Sequence, residues 1–177
     1  MSQYFDLSIR RIEIKKPKRD LKPVIKLQDE VNKTLLHDEY YYPTDERTIQ
    51  ECLDGDYILL GVYSKDKLIA ASFAFEGGLF FSKSITDWME IPGNKIMCHE
   101  LVVVDMEYRG NGIQKRFMDA TIREARQMGY DTIWCCAHPN NTPSVCSIES
   151  TGYKFADQFV VDGWPRNVYY RSTSIQR

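Results

Sequence analysis

The sequence predicts an α/β domain of seven strands and four helices. Short alternating or apolar runs, typical of strands, recur along the chain, and amphipathic patterns typical of helices separate them. The 177 residues are also the size of one domain, and no internal repeat, low-complexity tract or linker divides them. We therefore expect a single domain over residues 1–177, with elements in the order β-α-α-β-β-β-α-β-α-β-β.

The first half of the chain predicts a strand, two helices and a hairpin. The first helix follows from apolar residues at three- and four-residue steps, and the second from a threonine cap with two acids behind it. Two strand-like runs joined by a tight polar turn predict the hairpin. The predicted elements are a strand over Leu7–Ile14, a helix carrying Val24, Leu27, Val31 and Leu35, a helix over Thr44–Leu53, and strands over Tyr57–Ser64 and Leu68–Phe75.

The second half of the chain predicts a central strand, two helices and three further strands. An uninterrupted apolar end indicates that the central strand is covered on both faces. The predicted elements are an inserted loop over Glu76–Lys95 with room for one helical turn, the central strand Met97–Val104, a long helix from Ile113 to Met128, a strand over Thr132–Ala137, a short helix over Ser144–Ser150, and strands over Tyr153–Val161 and Asn167–Arg171.

The composition excludes several classes of protein. A net charge of −2 offers no field that would hold nucleic acid. The apolar runs are too short to cross a membrane, and the polar start, Met1 to Asp6, lacks a signal core, so we expect a cytoplasmic protein with no membrane partner. Five cysteines without a CxxC pair predict neither a disulfide framework nor a metal site, and we expect those on strands to be small buried hydrophobes.

The segment from Glu100 to Lys115, ELVVVDMEYRGNGIQK, is the most informative for chemistry. A predicted strand runs into a turn that holds Arg109, Gly110 and Gly112, and a long helix begins at once. Such a turn aims unpaired backbone N–H groups out of the positive end of the helix, and glycines let a ligand approach closely. These features predict a phosphate or diphosphate site. The alternative is that the glycines only satisfy a tight turn.

The spacing excludes the other common phosphate motifs. The third position of a dinucleotide fingerprint falls on Lys115, and a P-loop sequence is absent. The pair His99-Glu100 does not begin a zinc-protease motif, because position 103 is Val103.

Two motifs together resemble the GNAT acetyltransferase superfamily. VDMEYRGNGIQ is similar to the family's R/Q-x-x-G-x-G/A signature between a strand and a long helix, and HPNNTPSVCSIESTGY is similar to its second region. The resemblance covers Met97–Arg171. It implies acetyl-CoA as co-substrate and a mixed central sheet with helices on both faces. It also implies that the central strand splays from its neighbour and lies along the pantetheine arm.

Carried over residue by residue, the resemblance implies a set of coenzyme-binding positions. They are Val102, Val103 and Val104 along pantetheine; Arg109, Gly110, Asn111, Gly112, Ile113, Gln114 and Lys115 around the diphosphate; and Asn141 and Ser144 near pantetheine. For Asn141 and Ser144, a capping role before a short helix is an equal alternative. Gln114 departs from the family's Gly/Ala, and its side chain would either crowd the diphosphate or add a hydrogen bond to it.

Proton transfer singles out Glu100. An amine must lose its proton before it can attack a thioester, and its ordinary pKa of about 10 calls for a base. Glu100 lies at the head of the strand beside the expected thioester, where several GNAT enzymes place a glutamate base; the alternative is a surface glutamate. His99 should point to the opposite face. We expect the Val102 N–H to meet the oxyanion. The family's proton-donating tyrosine falls on Ile148, which has no proton to give.

The resemblance predicts an N-acetyltransferase acting on a primary amine of a small molecule or peptide. Acids and tyrosines crowd Leu36–Glu46, a region that shapes acceptor choice in this fold, and favour a cationic acceptor. A CoA-binding sensor or partner module without turnover is the main alternative, and a nucleotide- or metal-linked enzyme is the remaining one. A homodimer and longer acyl groups are both compatible with the sequence.

Overall fold

The fold is described from a computed structural model, over residues 9–11, 21–76, 91–161 and 163–174. The strands are β1 Ile9–Arg11, β2 Tyr57–Ser64, β3 Lys67–Glu76, β4 Ile96–Val104, β5 Thr132–Ala137, β6 Lys154–Val161 and β7 Trp164–Ser172. The α-helices within these ranges are α1 Lys22–Asn32, α2 Glu46–Cys52, α3 Ile113–Gln127 and α4 Thr142–Ser150, and short 3-10 helices cover Asp38–Tyr40 and Met106–Tyr108. This order confirms the predicted succession of elements.

The strands form one mixed seven-stranded sheet in the order β1-β2-β3-β4-β5-β7-β6. Of the described strand pairs, β4 and β5 alone run parallel, and the others are antiparallel. Helix α3 crosses from β4 to β5, as a parallel connection requires. None of the helices in the described ranges is long and apolar enough to cross a bilayer.

Helices cover both faces of the sheet, as predicted. On one face α3 and α4 pack Phe117 and Ile148 against residues such as Met97 and Ile133. On the other face α1 and α2 pack side chains including Leu27 against a second cluster of core residues. Strand β4 contributes to both clusters, which confirms that it is central and buried on both sides.

The start of α2 differs from the prediction. The N-cap is Asp45, whose carboxylate accepts a hydrogen bond from the Thr48 amide at 2.9 Å. Thr44 is buried, and its backbone N–H and carbonyl both bond the Gln28 side chain of α1 at 3.0 Å. Either residue can cap a helix, but Gln28 fixes the backbone of Thr44 and the Thr44 side chain bonds Glu100 instead of the helix. The prediction of a helix over Thr44–Leu53 was therefore wrong at its start.

Other boundaries shift by a few residues. Leu35 lies beyond the end of α1, whose buried face includes Gln28 instead. Helix α4 begins earlier than Ser144, and β7 begins at Trp164, so the last turn is tighter than predicted. Most of the predicted loop over Glu76–Lys95 and most of the predicted first strand lie outside the described residues.

Candidate active site

Strands β4 and β5 separate partway along their length. They pair at three positions, from Ile96 opposite Thr132 to Cys98 opposite Trp134, and β4 then continues to Val104 paired with β3 but not with β5. Beyond this point, the side of β4 that faces β5 pairs with no described strand. The separation leaves an opening through the sheet, of the kind that the resemblance implied.

The backbone of Val102 faces this opening. The Asp105 amide donates to the Ile69 carbonyl of β3 at 2.9 Å, and N–H directions alternate along an antiparallel strand. The amides of Val102 and Val104 therefore point away from β3 and toward β5. Val103 differs, because its side chain is buried and its backbone lies on the side of Ala71.

The turn before α3 uses two glycines in the left-handed region. Gly110 has φ 78° and Gly112, the N-cap of α3, has φ 68°. A Cβ built on either glycine would meet no atom within 4 Å, so the space beside the backbone is open. The first hydrogen bond into the helix runs from the Arg116 amide to the Gly112 carbonyl. The amides of residues 113–115 precede it and point out of the N-terminal end of the helix, which we call its mouth.

The side chains of this turn leave the mouth open and positively charged. Asn111 folds back and donates to the carbonyls of Tyr108 and Arg109 at 3.0 and 3.2 Å. Arg109 donates through Nε to the Val104 carbonyl at 3.3 Å. Lys115 is exposed, and the first turn of α3 carries no acid. An anion at this mouth would therefore meet backbone donors and cations.

A β-bulge directs Glu100 out of the strand pattern. On β3, Phe73 lies opposite Leu101 and the next residue, Ala74, lies opposite His99, so Glu100 is an extra residue on β4. Glu100 accepts a hydrogen bond from the Cys98 thiol at 3.5 Å on the α1/α2 face. His99 lies on the other face and shares a 2.7 Å hydrogen bond with the Ser72 hydroxyl.

Glu100 lies in a recess on the α1/α2 face of the sheet. The residue is open to solvent, yet burial among protein atoms raises the pKa of its carboxyl, against the effect of hydrogen bonds from Cys98 and Thr44. Cys136 of β5 is also open to solvent, and burial first and the Glu100 charge second raise the pKa of its thiol to about 12. A concave site explains both observations, because its walls surround groups that water still reaches.

Helix α1 holds the adjoining segment in place. Gln28 is buried and accepts hydrogen bonds from the Tyr41 hydroxyl at 2.6 Å and from the Thr44 amide. Burial first, and then the charge of Glu100, raise the pKa of Tyr41. The Tyr41 hydroxyl therefore stays protonated, and it lines the recess rather than acting as a base.

The comparisons with known proteins agree with this geometry. The model of the Acetyltransferase (GNAT) family matches residues 26–153. The chain belongs to the GNAT acetyltransferase family. No curated protein sequence matches the chain.

Solved GNAT structures share the fold. The ribosomal-protein-S18-alanine N-acetyltransferase from Escherichia coli aligns with a TM-score of 0.67 and 16% identity, over 97% of this chain and 96% of that one. An N-acetyltransferase from Staphylococcus aureus Mu50 gives 0.68 and 16%, over 96% and 100%. YncA from Salmonella typhimurium, solved with its cofactor acetyl-CoA, gives 0.65 and 16%, over 95% and 94%. At these identities the likeness is one of fold.

The second GNAT region has a structural role in this chain. Asn141 is the N-cap of α4 and accepts from the Ser144 amide at 3.4 Å, and its amide nitrogen donates to the Tyr40 carbonyl at 3.4 Å. Gln114 turns aside and donates to the Ser144 hydroxyl at 3.0 Å, which keeps its side chain off the helix mouth. Ile148 is 2% exposed and packs in the core.

Sequence reasoning missed several residues that surround Glu100. Cys136 was expected to be a buried hydrophobe, and this was wrong, because strand separation opens its face to solvent. Cys146 is also exposed, whereas Cys98 and Cys135 are buried as expected. Across the described residues, no three His, Cys, Asp or Glu side chains cluster as a metal site. Alternation along β5 could have placed Cys136 beside Glu100 once the parallel pairing was known.

Proposed function

We propose that this protein transfers an acetyl group from acetyl-CoA to a primary amine of a small molecule or peptide, by direct attack in a ternary complex. The observation that carries the proposal is the opening between β4 and β5, with the mouth of α3 on one side and the recessed carboxylate of Glu100 on the other. Family membership agrees with this assignment.

The residues present fit the coenzyme. The amides of residues 113–115 would bond the diphosphate, with Arg109 and Lys115 as nearby cations. The open space at Gly110 and Gly112 allows phosphate oxygens to approach the backbone. The outward amide of Val104 would pair with the pantetheine arm in the manner of a neighbouring strand, which leaves the outward amide of Val102 for the thioester carbonyl.

The chain's own residues would then handle charge and protons. Acetyl-CoA supplies an acetyl group activated as a thioester. Glu100 accepts one proton from the acceptor's ammonium, which frees the nitrogen lone pair to form the C–N bond while the C–S bond breaks. The Val102 N–H donates to the carbonyl oxygen as negative charge develops there. The amine nitrogen then loses a second proton, which water carries to the departing thiolate, since Ile148 has no proton to donate.

One observation favours a second candidate function, CoA binding without turnover. Ile148 is apolar and buried where the family places a proton donor. Thiol release from acetyl-CoA across a panel of primary amines separates the two functions. Amine-dependent release supports the transferase, whereas CoA binding measured by calorimetry without any release supports the binding module.

Glu100→Gln tests the proposed base. We expect CoA affinity within about twofold of wild type and an acetylation rate about 100- to 10,000-fold lower, as for other general bases. Wild-type activity should fall as pH falls through the pKa of Glu100, which lies above its ordinary 4.5, and the variant should lack this limb. Glu149→Gln, on the exposed surface of α4, is the matched control. Equal rates for the two variants across pH would remove Glu100 from the mechanism.

Glu100→Gln should lower the acetylation rate but raise the stability of the folded protein. The folded protein raises the pKa of Glu100, so the carboxyl contributes most to stability when protonated and this contribution is lost as pH rises through the folded pKa. Glu100→Gln should therefore raise the melting temperature at pH 7 relative to wild type. The gain should shrink toward pH 4. A variant that is less stable than wild type at pH 7 would contradict the recessed carboxylate.

A further inference from the structure

A buried arginine lies on the same face of the sheet as the proposed base. Arg166 of β7 is 6% exposed. It lies two residues from Val168, which packs in the α1/α2-face core, so alternation places Arg166 on that face as well. Val168 is opposite Cys136 of β5, and Cys136 shares the recess with Glu100. Glu100, Cys136 and Arg166 therefore occupy one face of the neighbouring strands β4, β5 and β7.

The charge of Arg166 has no anionic partner among the described residues. Its Nη1 donates to the Glu39 carbonyl at 2.7 Å and to the Pro165 carbonyl at 3.4 Å, both neutral acceptors. No carboxylate of the described chain forms an ion pair with it. A guanidinium has five N–H donors, and the two bonds from Nη1 leave most of them available. A buried cation of this kind is costly unless an anion or solvent meets it.

The positive charge of Arg166 lies near the recess. Burial first, and then the charge of Glu100, raise the pKa of Cys136, whereas the charge of Arg166 lowers it, so the thiol lies within reach of both charges. Burial first, and then the charge of Arg166, lower the pKa of His138, whose ring makes a tilted contact with Tyr40, with centroids 5.1 Å apart, at the edge of the same region. The recess thus carries an anion on one side and a cation on the other.

We propose that Arg166 binds a carboxylate of the acceptor, so that the acetylated substrate carries both an ammonium and a carboxylate. The proposal rests on the proposed transferase function and names the class of its acceptor. Guanidinium and carboxylate match in charge and in planar, two-pronged geometry. A phosphate dianion fits less well, because Arg166 supplies a single charge and Glu100 would repel the excess negative charge. The acceptor is a free amino acid, or a peptide N-terminus followed by an acidic side chain.

This class is narrower than the cationic acceptor that the acids and tyrosines of Leu36–Glu46 predicted, because it adds a carboxylate to the ammonium. The structure gives two of those acids other contacts: Asp45 caps α2, and Glu39 lies 3.2 Å from the His37 ring. A second ammonium on the acceptor would meet Arg166 and be repelled. A diamine should therefore be a worse acceptor than an amino acid of the same length.

The strand geometry predicts a preferred chain length for the acceptor. Arg166 lies two residues farther along the sheet than the Cys136–Val168 pair, which is about 7 Å at the rise of a strand. We vary the spacing between amine and carboxylate with a series of ω-amino acids from glycine to 5-aminopentanoate. Each amino acid is compared with the alkylamine that lacks the carboxylate. A single best chain length is expected, because only one spacing lets both ends bind. Peptides that begin Ala-Glu or Ala-Gln form a second arm and separate the two sources of carboxylate.

The test measures kcat/KM for each pair with wild type, Arg166→Gln and Arg166→Lys. Wild type should prefer the best amino acid, or the Ala-Glu peptide, over its uncharged counterpart by about tenfold to 100-fold. Arg166→Gln keeps a donor for the Glu39 carbonyl and should abolish this preference, while kcat/KM for the plain alkylamine changes less than threefold. Arg166→Lys should retain part of the preference.

The outcomes distinguish the two proposals. If amino acid and alkylamine lose activity by the same factor, Arg166 is structural and the carboxylate site is overturned. If wild type shows no preference for a carboxylate in either arm, the site is overturned without any variant, even where Arg166→Gln fails to fold. If no amine supports thiol release, the transferase itself fails and the acceptor class with it. Melting temperature and CoA affinity of each variant show whether the fold and the donor site are intact.

Discussion

The proposed diphosphate site is tested most directly by adding one methyl group to it. Gly112→Ala places a Cβ at the mouth of α3, in space that is open in the free protein. Phosphate oxygens are expected to occupy that space in the complex. The substitution should therefore weaken CoA binding by displacing the diphosphate.

The magnitude has two separable parts. Gly112 has φ 68°, and an alanine held there costs about 1–2 kcal/mol of stability, or roughly 2–8 °C in melting temperature for a chain of this size. That strain is present with and without ligand, so it leaves the affinity unchanged. Loss of one charge-assisted hydrogen bond to a phosphate, about 1.5–3 kcal/mol, raises the dissociation constant about tenfold to 150-fold.

The other end of the same helix provides the control. Gly129 follows α3 with φ 81° and has equally open space around its Cα. Gly129→Ala should lower the melting temperature by a similar amount and leave CoA affinity unchanged. Isothermal titration calorimetry with CoA and a thermal melt on each variant give both quantities. Equal dissociation constants for the two variants would refute the proposed diphosphate site, whatever their stabilities.

Two further predictions concern the recess. Gln28→Met leaves the buried Thr44 amide and carbonyl without their partner and should reduce the free energy of unfolding by about 2–4 kcal/mol in a denaturant titration. Lys26→Met, on the exposed side of α1, should change it little, and similar losses for the two variants would contradict the role given to Gln28. A maleimide at pH 8 should label exposed Cys146 faster than Cys136, because burial raises the pKa of Cys136 to about 12, and acetyl-CoA should slow the labelling of Cys136 alone. Faster labelling of Cys136, read by peptide mass spectrometry, would contradict the recess.

Local patterns were sufficient to predict most of the fold. The strands Tyr57–Ser64 and Thr132–Ala137 match their predicted bounds, because both are buried apolar runs between clear turn signals. The glycines before α3 were also recognisable, since a strand, a short turn and a long helix need the left-handed region there. The prediction of a single domain over residues 1–177 stays a prediction.

Contacts between distant residues were not predictable in the same way. The shift of the α2 cap from Thr44 to Asp45 depends on Gln28, which lies 16 residues before Thr44 and reads as an ordinary polar helix residue. The bulge at Glu100 depends on the register with β3, which alternation within β4 alone does not fix. The nearness of Arg166 to the recess depends on β7 lying beside β5, and the order of strands in a sheet is not encoded locally.

The separation of β4 from β5 gives a physical reason for a ternary complex. The mouth of α3 lies on the α3/α4 face of the sheet, and the recess around Glu100 lies on the α1/α2 face. Two ligands bound on opposite faces can react only where the sheet is open, and β4 opens directly after its last paired residue, Cys98. The bulge at Glu100 comes two residues later and turns the carboxylate toward the α1/α2 face. A donor entering from one face would therefore meet the amine as it loses its proton on the other, with no covalent acetyl-protein step required.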